Sequence, residues 1–362
     1  MNDSYDLATE ADLNDSTQIE LLAGAGTVLG AGLLQGAFAL PMKYARSWNH
    51  ENIWLVFAMT GLVAAPWALT LATVPHLSEV YRMTSWGSLA AIVGFGMLWG
   101  IGATLTGIGL QLLGVGLGLS ILIGLSASVG SIIPLLVLSP EFVGTQQGRV
   151  FLIGSGVMLI GIAVAARAGA LRDSAAIRNT PTKGSPSSPL RNRFALGLGI
   201  CICSGIFSSA LNLSYAFGTE AIQNARQLGA TTIWASNAVA ALATSGGFIA
   251  NFVYCGYQLR KHHSLSFFAI KGTGRNWIFG ALMGILWFGG LSLYGLGTLH
   301  MGKLGTSLGW PLLMGMIILT SNIGGWITGE WTGADRRIRM YLFSGMAIIL
   351  LALGILAMAQ RP

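Results

Sequence analysis

Residues 95–114, FGMLWGIGATLTGIGLQLLG, and residues 115–136, VGLGLSILIGLSASVGSIIPLL, decide the fold. Each is apolar over about the 20 residues a helix needs to cross a bilayer, and glycines around Gly114 form a hinge between them. The first stretch recurs in degraded form 188 positions later: Leu98-Trp99 meets Leu286-Trp287, Gly107 and Gly109 meet Gly295 and Gly297, and Gly114 meets Gly302. Weak internal symmetry within apolar sequence is how many secondary transporters are built, with the substrate site at the repeat interface near the bilayer midplane.

Working outward, the same reading finds ten apolar segments, near 21–42, 53–73, 87–112, 116–138, 150–170, 193–217, 231–255, 276–298, 304–328 and 338–359. The 362 residues are 53% hydrophobic and only 9% charged, against roughly a quarter charged in a soluble domain. Backbone groups in hydrocarbon must be satisfied internally, and the alternating pattern of barrel strands is absent. The expectation is an all-α integral membrane protein with ten transmembrane helices.

The one long hydrophilic connection, RDSAAIRNTPTKGSPSSPLRNR at 172–193, marks a linker over 171–192 between five-helix halves at 21–170 and 193–359. A second copy of the first helix follows it, Gly36-Ala37-Phe38 aligning with Gly205-Ile206-Phe207. Five helices per half is an odd number, so the halves insert in opposite senses and the repeats are of the inverted kind. In the first helix, Gly26/Gly30 and Gly32/Gly36 are spaced for close helix contact within the bundle.

The net charge of +7 does not point to nucleic acid, because the basic residues sit in short loops. Fifteen of the twenty Lys and Arg fall in the loops after helices one, three, five, seven and nine, among them Arg167, Arg172, Arg260, Lys261, Arg336 and Arg337. The positive-inside rule then places those loops in the cytoplasm and both termini outside it. Residues 1–20 carry six acids and no base, which reads as an acidic, disordered tail rather than a signal peptide. Cys201, Cys203 and Cys255 all fall within helices and read as small apolar residues, not as a disulfide framework or metal site.

Three stretches carry a resemblance. Residues 95–114, residues 148–173 (GRVFLIGSGVMLIGIAVAARAGALRD) and residues 329–337 (GEWTGADRR) resemble the L-rhamnose/proton symporter family, of the drug/metabolite transporter superfamily of ten-helix carriers. The resemblance extends from about Gly24 to Arg337 and implies inward transport of a neutral deoxysugar, coupled to protons, across the bacterial inner membrane. In one place the chain departs from it. Where family members carry an acidic residue early in helix nine, this sequence reads Gly305-Thr306-Ser307-Leu308-Gly309-Trp310.

The residues themselves agree on a neutral substrate. A charged substrate demands a charged partner in the bundle, and no acid or base lies deep in a span. Hydroxyl and amide groups beside aromatic faces suit a polyol. Ser208, Asn212 and Tyr215 share a face of helix six at i, i+4 and i+7. Trp234, Asn237 and Thr244 line helix seven, Trp287 and Tyr294 share a face of helix eight, and Trp99 takes the matching place in helix three. With Gln35 and Trp310, the expected substrate-binding set is Gln35, Trp99, Ser208, Asn212, Tyr215, Asn237, Trp287, Tyr294 and Trp310. For the proton, Glu330 and His300 lead a group that includes Glu220 and Glu141, whereas His50, His76, His262 and His263 read as plain loop residues. No cofactor, metal or enzymatic motif is expected. A facilitator or exporter of another neutral metabolite stands as an alternative. So does a structural membrane protein, which would have no polar-lined cavity.

Overall fold

The computed structural model describes residues 3–113, 115–179, 190–329 and 331–359. Among the described residues, ten helices are long and apolar enough to cross a membrane. They are α1 (Ile19–Tyr44), α2 (His50–Thr73), α3 (Trp86–Gly109), α4 (Ile121–Leu138), α5 (Gln146–Arg172), α6 (Ala195–Gln227), α7 (Asn237–Lys261), α8 (Gly274–His300), α9 (Gly302–Ile327) and α10 (Arg336–Met358). No strand occurs among the described residues. Leu71, Ile153, Val253, Ile278 and Leu350 are each more than half exposed on the outside of the bundle. In water such a surface would drive aggregation; against lipid tails it needs no cover.

The helix carrying α1 begins at Asp3, so the acidic stretch precedes the span as a helical extension. The helix carrying α5 continues to Asn179, and the next begins at Leu190; the middle of the linker lies outside the described residues. Proline shapes two spans as its missing N–H requires. A 3₁₀ turn, Leu40–Tyr44, ends α1 at Pro41, and a π-turn, Thr60–Ala64, widens α2 just before Pro66. The sixth span is discontinuous. Helix runs Leu190–Ser208, Ala210–Phe217 and Thr219–Gln227, with turn residues at Ser209 and Gly218 between the pieces.

α3 packs on α6 and α7, and α4 packs on α6. Correspondingly, α8 packs on α1 and α2, and α9 packs on α1. Three further pairs, α2 with α7, α4 with α9 and α5 with α10, also pack together. At the crossing of α3 with α7 the backbones approach closely. A Cβ added to Gly96 would lie 2.0 Å from the Ala243 carbonyl oxygen, and one on Gly100 would lie 2.5 Å from that of Gly247. In α1, Gly32 and Gly36 press on Met316 and Thr320 of α9 as the spacing predicts, but Gly26 and Gly30 meet no neighbour.

The loops after α1, α3, α5, α7 and α9 lie at one end of the bundle, called here the basic end for its Lys and Arg. The opposite end carries both termini.

Candidate functional site

The two tryptophans paired by the internal repeat touch. Trp99 and Trp287, each near the middle of its span, stack with ring centroids 5.0 Å apart and 25° between planes. The edge of Phe57 meets Trp287 at 6.1 Å and 89°, and Gly247 leaves room for the Trp99 ring. Gln35 Nε2 donates to the Trp287 carbonyl at 3.5 Å. This central cluster thus joins α1, α2, α3, α7 and α8.

Towards the termini end lies a second cluster, buried and hydrogen-bonded. Asn212 is fully buried, and its amide donates to the carbonyls of Gly130 at 2.6 Å and Thr306 at 3.0 Å. Its carbonyl accepts the Tyr294 hydroxyl. Tyr294 meets Tyr215 edge-on at 5.8 Å and Trp310 at 5.6 Å. The Trp310 indole N–H donates to Ser126 at 2.9 Å, its ring lying where Gly130 has no side chain. One amide therefore ties α4, α6, α8 and α9 together. Each of its bonds is made in a low-dielectric setting where leaving it unmade would cost about 1–3 kcal/mol.

Asn237 belongs to a third group. Its Nδ2 donates to Thr73 at 3.2 Å, its Oδ1 accepts from Ser292 at 3.1 Å, and its backbone carbonyl accepts from Thr70 at 3.0 Å. Further along the same seam, the Trp54 indole donates to Asn251 and that of Trp67 to Ser245. Because Trp287, Ser292 and Tyr294 all sit on α8, that helix connects the three groups. Ser208 stands apart, half-buried as the last residue before the break in α6. Trp234 lies in the turn before α7 and is 37% exposed, so it does not share the face of Asn237.

None of the nine expected substrate residues lines the cavity at the basic end. This space of about 260 Å³ lies between α1, α4, α5 and α9, with Gly36, Ile123, Ile162 and Ile318 among its walls. It falls just short of the roughly 300–1,000 Å³ of typical small-molecule pockets. Its polar lining comes from Ser321, Asn322, Lys43 and Arg172. Lys43 Nζ donates to Thr328 at 2.6 Å, and the Arg172 guanidinium lies 4.8 Å over the Trp331 ring. Small and aliphatic residues make most of this wall, and in a sequence they are indistinguishable from packing.

The expected proton carriers fall differently. Glu330 lies outside the described residues, and His300 is half-buried at the last residue of α8, against Gly24. Glu141 is exposed, and the Glu220 carboxylate accepts from the backbone N–H and the hydroxyl of Ser85. The sequence reading missed Glu51. It is 5% exposed in the first turn of α2, a buried carboxylate. Its Oε1 takes Ser264 Oγ at 2.6 Å, His262 Nδ1 at 3.0 Å and Asn49 Nδ2 at 3.2 Å. His262 is therefore no plain loop residue. Together with Asn52, which donates to the Ser264 carbonyl at 2.8 Å, Glu51 fastens α2 to the connection between α7 and α8. Nor is His50 a bystander: its ring stacks on Trp54 at 5.0 Å.

Comparison with known proteins agrees with this architecture. The family model for the L-rhamnose-proton symport protein (RhaT) matches residues 23–360. The L-rhamnose-proton symporter of Escherichia coli O17:K52:H18 is 27% identical over 330 residues, covering 89% of this chain and 93% of its own. That of Cronobacter sakazakii is 27% identical over 331 residues with the same coverage, and that of Escherichia coli O157:H7 is 26% identical over 330. A match over nearly the whole chain, on ten apolar helices among the described residues, places the protein: it belongs to the L-rhamnose-proton symport protein family.

Proposed function

We propose that this chain imports L-rhamnose, or a closely related neutral deoxysugar, together with protons across the inner membrane, with the basic end in the cytoplasm. The observation that carries this reading beyond family membership is the asymmetry of the bundle. A cavity sits at the basic end, while the aromatic and amide cluster around Asn212 packs shut at the other. That is the form of a carrier closed to the outside, in an alternating-access cycle.

Two inverted five-helix repeats fit the packing. Exchange α1–α5 for α6–α10 and the neighbours α3–α6, α4–α6 and α3–α7 become α8–α1, α9–α1 and α8–α2, all of them present. The pairs α2–α7, α4–α9 and α5–α10 map onto themselves. Repeat-related residues meet only near the axis relating the repeats, and Trp99 rests on Trp287. The sugar site in this reading is the region of Gln35, Trp99 and Trp287 together with Ser208, Asn212, Tyr215, Asn237, Tyr294 and Trp310. It supplies flat aromatic faces beside neutral donors and acceptors and has no charge to pair with an ionic substrate.

For the proton we assign Glu51, ahead of His300 and Glu330. A coupling group must be buried yet able to titrate, and must bear on the contact between the halves. Glu51 is buried and bears on the contact between the halves through Ser264 and through His262, which is 41% exposed at the basic end. The other titratable groups that sense its charge are His50 and Cys255.

Counterflow in proteoliposomes tests the substrate class. Uptake of labelled L-rhamnose into vesicles preloaded with the unlabelled sugar should be suppressed by external neutral deoxysugars and untouched by sugar phosphates. Equal competition by a sugar phosphate would contradict the neutral site and move recognition to Lys43 and Arg172.

A further inference from the structure

We propose that the hydroxyls of Tyr215 and Ser236 form a subsite that binds hydroxyl groups of the transported sugar once the packing around Gly295 parts. The inference rests on the sugar-carrier reading and adds to it a residue, Ser236, that no helical pattern selects.

Tyr215 and Ser236 are 2% and 1% exposed, and both side-chain oxygens are buried without any hydrogen-bond partner. A buried hydroxyl left unpaired destabilises the state that holds it, and native structures keep few of them. Here the two occur at one place. A methyl group placed on Gly295 would lie 2.7 Å from Ser236 Oγ and 3.0 Å from Tyr215 Cε1. Every other polar side chain of the neighbourhood is paired: Asn212 with Gly130, Thr306 and Tyr294, Asn237 with Thr73 and Ser292, Thr298 with the Gly295 carbonyl. Of the six buried side-chain atoms without a partner among the described residues, these two hydroxyls are the ones that meet at the seam between α8 and the pieces that face it.

Those pieces are set apart in the chain. Tyr215 rides on the eight-residue helix Ala210–Phe217, bounded by the turn residues Ser209 and Gly218, and Ser236 directly precedes α7. Separation of α8 from them would expose both hydroxyls to the space vacated, beside the Tyr294 and Trp310 rings. Two neutral hydroxyls next to aromatic faces recognise a polyol, not an ion. In the closed state they lose their partner; with sugar present they regain one. Broken spans that place binding groups near the midplane are a general carrier device.

The test compares Tyr215→Phe and Ser236→Ala with wild type, in thermal melts of the purified carrier and in counterflow with L-rhamnose. Each variant should raise KM about fivefold, the equivalent of one neutral hydrogen bond. Neither should lower the melting temperature, since each deletes an atom that bonds to nothing in the closed state. A hydroxyl that serves only packing gives no such split. Among L-rhamnose analogues lacking one ring hydroxyl, one should be disfavoured by wild type and no longer by the variant. Wild-type KM in both variants overturns the inference and leaves the sugar-carrier reading intact. A wild-type protein that neither transports nor binds any neutral sugar overturns both.

Discussion

Glu51→Gln is expected to abolish accumulation of L-rhamnose against its gradient while leaving counterflow of the sugar intact. The substitution keeps the side chain's size and removes its charge and its proton. Ser264, His262 and Asn49 all bond to Oε1, so a glutamine carbonyl in that position preserves contact between α2 and the connection that follows α7. What it cannot do is alternate between a charged and a neutral state. In wild type, the ionised carboxylate draws the second half onto the first through the charge-assisted bonds, which are roughly twice as strong as neutral ones. A proton on Glu51 weakens that fastening. The accumulation ratio of proteoliposomes with an inward proton gradient should fall at least tenfold, to equilibrium, in the variant. His262→Ala should retain accumulation with an altered pH profile, because it removes the partner and keeps the titrating group. Undiminished accumulation by Glu51→Gln would make the pair a structural clasp and return the proton to Glu330 or His300.

The second large effect is on assembly. Gly96→Ala should destabilise the carrier by about 3 kcal/mol, at the upper end of what overpacking costs. The added Cβ would lie 2.0 Å from the Ala243 carbonyl oxygen, 2.7 Å from its carbon and 2.8 Å from its Cα, all backbone atoms that no rotamer change can move. The α3–α7 crossing must open instead, and with it Gly100 against Gly247 and Gly246 against Val93. Gly94→Ala is the control. It is on the same helix two residues earlier, with nothing within 4 Å, and should melt at or above the wild-type temperature because alanine favours helix over glycine by about 1 kcal/mol. Melting of the purified proteins in detergent should separate the two by roughly 5–10 °C. Coincident melts would mean that the α3–α7 seam is not as close as described.

How much of this was legible in the sequence follows from how local each feature is. Ten spans could be read off because a bilayer imposes length and apolarity on every helix separately. The stacking of Trp99 on Trp287 was within reach because the repeat placed both at matching positions. The faces of α6 and α8 were also readable, since Asn212, Tyr215, Trp287 and Tyr294 recur at helical spacing and all are buried. The break at Ser209 was not, because serine inside an apolar span carries no turn signal of its own. Glu51 and His262 were missed for another reason. They lie 211 residues apart, one at a helix start and one in a loop, where an acid and a histidine ordinarily face water. The cavity was invisible because glycine, alanine and isoleucine read the same whether they wall a space or fill one. Ser236 escaped too: only the absence of any partner for its hydroxyl, a fact of three-dimensional packing, sets it apart.

The most direct test of the central claim is uptake of labelled L-rhamnose by proteoliposomes containing the purified chain, with and without an inward proton gradient. Proton-coupled import predicts accumulation above the external concentration when the gradient is imposed, and its collapse on adding a protonophore. Equilibration that ignores the gradient would contradict proton coupling, and failure of a reconstituted, folded protein to move the sugar at all would contradict L-rhamnose as the substrate.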